Sequence, residues 1–204
     1  LCTHIIVPNI MIQKNDEERF EDEPEDYVRL EIEGDAGSRR QSTADFVSAL
    51  SFTYDQLIVP ILLDFVGQLI VKSAEDPGSG WKYKDAAIRI IIAVINKFGE
   101  SKFGISKISS NLDINTIFKD MILPDLLEPK TNPIVLAVSL KYTIAFHKFI
   151  NHDIITVNVS CLSMLLAHNS HVIKYLTCIL ISDIFLPPNN SQVDLRFKAI
   201  LESL

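Results

Sequence analysis

Apolar residues recur at helical spacing along most of the chain, and this constrains its fold more than any other feature. Leu62, Phe65, Val66 and Leu69 form one such set, and Ile88, Ile91, Ile92 and Ile95 form another. The spacing returns in Ile114, Ile117, Phe118 and Met121, and again in Phe197, Ile200, Leu201 and Leu204. Residues three and four apart share one helix face, so each set is a stripe that another element must cover. Strands find little support. Residues 7–12 are the one plausible short strand, and no two alternating runs are joined by a hairpin turn.

Breakers divide the helical segments into four expected pairs: 38–54 with 55–74, 81–98 with 113–127, 132–150 with 152–167, and 170–186 with 192–204. The first pair closes on the turn Glu-Asp-Pro-Gly-Ser-Gly at 75–80, Gly99 stops the helix before it, and Pro133 suits a first helical turn. A polar cluster at 168–171 and Pro-Pro-Asn-Asn at 187–190 mark two further turns. First helices start near 38, 81, 133 and 170, and an extra loop at 100–111 accounts for the wide second interval. A helical hairpin recurring about every 40 residues is the period of HEAT-type repeats, in which neighbours stack to share a core. The expectation is an all-α HEAT-repeat superhelix of about four hairpins. Its repeats would cover 38–79, 80–131, 132–169 and 170–204 as one continuous array, part of a longer protein because residue 1 is Leu. Residues 1–37 would hold the end of a preceding repeat and an acidic insertion. A closed bundle of eight helices is the alternative.

Composition supports a packed core: of 204 residues, 48% are hydrophobic and 22% charged, which excludes a disordered or collagen-like chain. Three cysteines (Cys2, Cys161, Cys178) make no disulfide framework and suit a reducing compartment. The longest stretch free of Asp, Glu, Lys and Arg, residues 154–173, has the length of a membrane span but is interrupted by Asn, Ser and His, so a soluble chain is expected.

The net charge of −7 is concentrated at one place. Asp16, Glu17, Glu18, Glu21, Asp22, Glu23, Glu25 and Asp26 lie within eleven positions that hold a single base, Arg19. The remainder balances at 18 acids and 18 bases, which leaves no basic excess to hold a nucleic-acid backbone.

Chemistry finds no foothold. Cys161, His168, His171 and Cys178 could be gathered as metal ligands, but the cysteines fit no paired C-x-x-C pattern and sit in apolar helices. No G-x-S-x-G is present. Neither the glycines at 78 and 80 nor those at 99 and 104 have phosphate-loop spacing or a strand feeding them. His147 and His152 lie at a helix boundary with no third partner nearby. The expectation is no enzyme, no cofactor and no metal. Trp81 reads as a packing residue, with Lys82 and Lys84 beside it solvated.

The acidic run stands apart because Phe20 and Tyr27 interrupt it and Pro24 stiffens its middle. Like charges so close repel one another, so the run reads as a charged loop that favours a basic partner.

At these residues the chain resembles a known family. Ile5-Ile-Val-Pro-Asn9, followed by the acidic run through Tyr27-Val-Arg29, resembles the central signature of the nuclear-transport β-karyopherins (the importin-β superfamily), in the branch that re-exports importin-α, also called the cellular apoptosis susceptibility protein family. Gly34-Asp-Ala-Gly-Ser-Arg-Arg40 with Ala44-Asp-Phe-Val47, then Trp81-Lys-Tyr-Lys-Asp-Ala-Ala-Ile88, Ile122-Leu-Pro-Asp-Leu126 and Leu140-Lys-Tyr142 keep the family's order and spacing. Residues 52–67 and 100–111 depart from it, and residues 143–204 offer only the helical pattern. The resemblance implies a nuclear export receptor without enzymatic activity, shuttling between nucleus and cytoplasm, with Ran-GTP, importin-α and nucleoporins as partners. Asp16, Glu17, Glu18, Phe20, Glu21, Asp22, Glu23, Glu25, Asp26, Tyr27 and Arg29 are the expected partner contacts, as an insertion projecting from the concave side.

Overall fold

The computed structural model describes residues 1–34, 37–96, 112–151 and 159–185. Within them every regular element is a helix, and the chain divides into two units, Leu1–Leu112 and Asp113–Leu204. The all-α expectation holds; the expected helix 192–204 and the loop 100–111 lie outside the described residues.

In the first unit, α1 opens as a π turn at Cys2–Ile6 and continues as Val7–Ile10. The expected strand at 7–12 is therefore corrected: Ile6 and Ile10, four apart, are both buried, so one helical turn satisfies the same apolar pattern. Next come α2 (Lys14–Asp22), α3 (Pro24–Glu33), α4 (Arg39–Thr53), α5 (Asp55–Glu75) and α6 (Gly80–Ile95). Ser38 caps α4 by accepting a bond from the Gln41 N–H, 3.1 Å. Helix α6 is the centre of this unit: α4 and α5 both pack on it. Its residues Ile88, Ile90, Ile91, Ile92, Val94 and Ile95 are all buried, which explains an apolar run wider than one stripe. Helix α5 meets it through Val59, Leu62, Phe65, Val66 and Leu69. The helices close in so tightly at their connecting turn that a Cβ on Gly80 would collide with the Ser73 carbonyl. By length and composition α5 could cross a membrane.

In the second unit, α7 runs from Ile114–Ile117 through a π turn at Phe118–Ile122 to Leu123–Leu127. It is followed by α8 (Pro133–Phe146), α9 (Val159–Leu166) and α10 (His171–Phe185). Helix α8 packs on α7 and α10, and Tyr142, fully buried, donates to the Ile114 carbonyl at 3.2 Å. The expected turn between α9 and α10 is present, with the Ser170 N–H donating to His168 Nδ1 at 3.0 Å.

Both π turns end two residues before a proline. The Val7 N–H reaches back to the Cys2 carbonyl ahead of Pro8, and the Leu123 N–H reaches the Phe118 carbonyl ahead of Pro124. A proline ring crowds the carbonyl four residues earlier and donates nothing, so widening the preceding turn lets the helix pass through it.

Candidate functional site

The acidic run is helical, not a loop. The carboxylates repel, but local geometry compensates. Gln13 and Asp16 cap α2 reciprocally, the Gln13 N–H donating to Asp16 Oδ2 at 2.9 Å. Asp16 and Glu17 lie in the first turn of α2, and Glu25 and Asp26 in that of α3, where the helix dipole favours negative charge. Lys14 pairs with Glu18 at 3.2 Å along one face. Pro24 acts as the sequence suggests, stopping α2 at Glu23 and starting α3 at its first position.

Phe20 and Tyr27 turn inward. Both are buried, and their rings meet edge to face with centroids 5.0 Å apart. Beneath them lies an ionic network. Arg89 of α6 forks onto Glu31 of α3 at 2.6 and 3.0 Å and reaches Asp85 at 3.1 Å and the Tyr27 hydroxyl at 3.4 Å. Arg40 of α4 binds the other Asp85 oxygen, and its Nε donates to the Ile10 carbonyl at 2.9 Å. Asp85 is fully buried and shared by two guanidiniums. Burial alone would lower the Arg89 pKa, but Glu31 and Asp85 together outweigh it and raise it well above the ordinary arginine value. Burial, reinforced by Glu31, raises the Tyr27 phenol, so it stays neutral while its hydroxyl oxygen accepts from Arg89.

Two more bonds fasten α2. Lys82 of α6 reaches Glu17 at 2.5 Å, and Arg39 lies 3.4 Å from Asp16. Lys82 is thus an anchor and not the solvated side chain expected; it also sits 5.1 Å from the ring centroid of Trp81, which is half-buried. Among the expected contacts, Asp16 and Glu17 are half-buried and engaged within the chain, and Phe20 and Tyr27 are core residues. Glu18, Glu21, Asp22, Glu23, Glu25, Asp26 and Arg29 are exposed, with Arg29 paired to Asp26 at 2.8 Å. Sequence reasoning missed Arg39, Arg40, Lys82, Asp85 and Arg89. The acid–base spacing of Asp85 and Arg89 on one helix face is the signal that could have drawn attention to them.

The residues weighed as metal ligands do not assemble: among the described residues no group of three or more His, Cys, Asp or Glu could hold an ion. Cys161 is buried, donates to the Leu126 carbonyl, and has its thiol pushed up to about 11 by burial, whereas Cys178 is exposed.

Stacked helical pairs, an acidic surface helix pair and a buried ion network beneath it define an α-helical repeat protein of the HEAT class. The Cse1 family model matches residues 1–181. Exportin-2 of Drosophila melanogaster is 32% identical over 185 residues, covering 87% of this chain and 19% of that relative. Exportin-2 of Homo sapiens is 31% identical over 165 residues, covering 79% and 17%. The solved structure of the exportin Cse1 in its cargo-free, cytoplasmic state superposes with a TM-score of 0.82 at 26% identity, covering 88% of this chain and 20% of that one. The chain belongs to the Cse1 family of exportins, within the importin-β superfamily. It spans about a fifth of the length of these relatives.

Proposed function

We propose that this chain serves in a nuclear export receptor that binds Ran-GTP and importin-α together and returns importin-α to the cytoplasm. The observation that carries the reading is membership of the Cse1 family over residues 1–181. In this role the receptor shuttles through the nuclear pore past nucleoporins and performs no chemistry of its own. The exposed carboxylates Glu18, Glu21, Asp22, Glu23, Glu25 and Asp26, with Arg29 among them, contact basic surface on Ran or cargo. Asp16, Glu17, Phe20 and Tyr27 act behind them by fixing the path of α2 and α3. Partners of opposite charge are steered together and held less well as salt rises.

The test uses the intact receptor with those six acids changed to Gln or Asn. Affinity for Ran-GTP plus importin-α should fall about tenfold at physiological salt, with a shallower salt dependence. An unchanged affinity and salt slope would remove the acidic face from the interface. Cargo capture should rise on adding Ran-GTP; loss of cargo would mark an importin, and indifference a scaffold.

A further inference from the structure

Helices α5 and α8 are both strongly apolar, yet only α8 is covered. In the most apolar window of α5 only 28% of the residues are buried, although the helix is 21 residues long. Its face away from the core shows Leu57, Ile61 and Val71, which are 65%, 52% and 58% exposed. Positions 57, 61, 64, 68 and 71 fall on one helical stripe about 21 Å long, with Asp64 and Gln68 at its middle.

Beside the stripe, a groove of about 360 Å³ lies between α5 and the start of α1, and its apolar lining is Leu1, Cys2, Ile58, Ile61, Leu62 and Phe65. Gly67 adjoins the stripe and is exposed, and a Cβ added there would meet nothing within 4 Å. Glycine costs a helix stability that alanine would restore, and at this position it leaves the α5 backbone open to a close neighbour. An exposed apolar stripe of this length beside a groove fits one amphipathic helix laid along it.

Charge decides the occupant. Among the described residues that line the groove, Asp64 is the one charged side chain. Its Oδ2 accepts from Gln68 Nε2 at 2.9 Å, which orients the carboxylate along the stripe. A lipid surface would draw this carboxylate and amide in among acyl chains that offer neither a partner. A second copy paired on the whole stripe, in either direction, would set Asp64 against its own counterpart. A helix with a base at the centre of its apolar face meets every feature, placing aliphatic side chains on Leu57, Ile61 and Val71 and a cation on Asp64. We infer that α5 and the groove beside it dock a helix of a partner protein, apolar on the docked face except for one Lys or Arg against Asp64. The inference stands on this surface and does not depend on the transport role.

The test uses the full receptor and synthetic helical peptides of about eighteen residues, with Leu along one face and either Lys or Glu at the centre of that face. Binding is read by fluorescence anisotropy. The Lys peptide should bind about tenfold more tightly than the Glu peptide, and Asp64→Lys should reverse that order. Ile61→Asp should abolish binding of both at unchanged Tm. Both positions are exposed, and a reversed preference is a readout that a misfolded variant does not give. In cells, a photo-crosslinking side chain in place of Val71 should join the receptor to segments that carry this apolar spacing and central base. Equal binding of the two peptides, no reversal, or capture only of segments without the pattern would overturn the inference. So would no binding at all, which is the outcome if another repeat of the receptor covers the groove. A receptor dimer in sedimentation, or binding to phosphatidylserine vesicles, that is lost in Ile61→Asp would instead assign the face to a second copy or to lipid.

Discussion

Helices α2 and α8 become ordered by opposite means. Of the nine residues of α2 only Phe20 is buried, and the helix is fastened by ion pairs to side chains on α4 and α6. In α8 every residue from Ile134 to Phe146 is buried, including Lys141 and Tyr142, and packing against α7 and α10 places it. Apolar burial is non-directional and draws on many neighbours, so α8 has no single decisive partner. Charge-held elements depend on particular atoms. The bond from Lys82 to Glu17 spans 65 positions of sequence and that from Arg89 to Glu31 spans 58, and each has one correct geometry.

The largest break in this comparison is Phe146→Ala. Phe146 is fully buried beside Tyr142, with ring centroids 4.8 Å apart. Its truncation should cost about 4 kcal/mol from lost transfer and cavity formation. Denaturant unfolding should show the loss in the second unit, with hydrogen exchange in α2 and α3 unchanged. Asp85→Ala comes next. It leaves the Arg40 and Arg89 guanidiniums buried without their shared carboxylate and should cost about 3 kcal/mol. Here exchange should accelerate in α3, which loses the platform beneath Glu31 and Tyr27. Protection of α3 at the wild-type level would show that the Phe20–Tyr27 contact alone secures the insertion. Lys82→Gln is the smallest. This pair is about 30% exposed at each end, 29% for Lys82 and 31% for Glu17, so its loss should cost about 0.5 kcal/mol. The difference from wild type should shrink as salt is raised, and a salt-independent cost would assign Lys82 to packing on Trp81.

The reach of the sequence follows from the same contrast. Period and breakers placed α4, α5, α6, α8 and α10 within a few residues, because one buried stripe or one proline needs no knowledge of distant partners. Residues 7–12 were misread because a single apolar turn fits both periods, and context from Ile6 settles it. The acidic run was misread because self-repulsion argues for a loop, whereas reciprocal capping and favourable helix termini offset that repulsion. For the candidate site, Phe20 and Tyr27, expected as partner contacts, are core residues, and only the positions of the acids were visible in sequence. The arginines and Asp85 beneath them were not.

By itself the sequence determined that this protein is all helical, where most of its described helices begin and end, and where its negative charge is concentrated. Those properties depend on residues within a few turns of one another. Only the tertiary structure decided that the acids ride on helices pinned to α4 and α6, and that Arg40 meets Asp85, 45 positions away, in the core. Both depend on oppositely charged groups far apart in the chain meeting at hydrogen-bond distance, and that meeting exists only after the helices have packed.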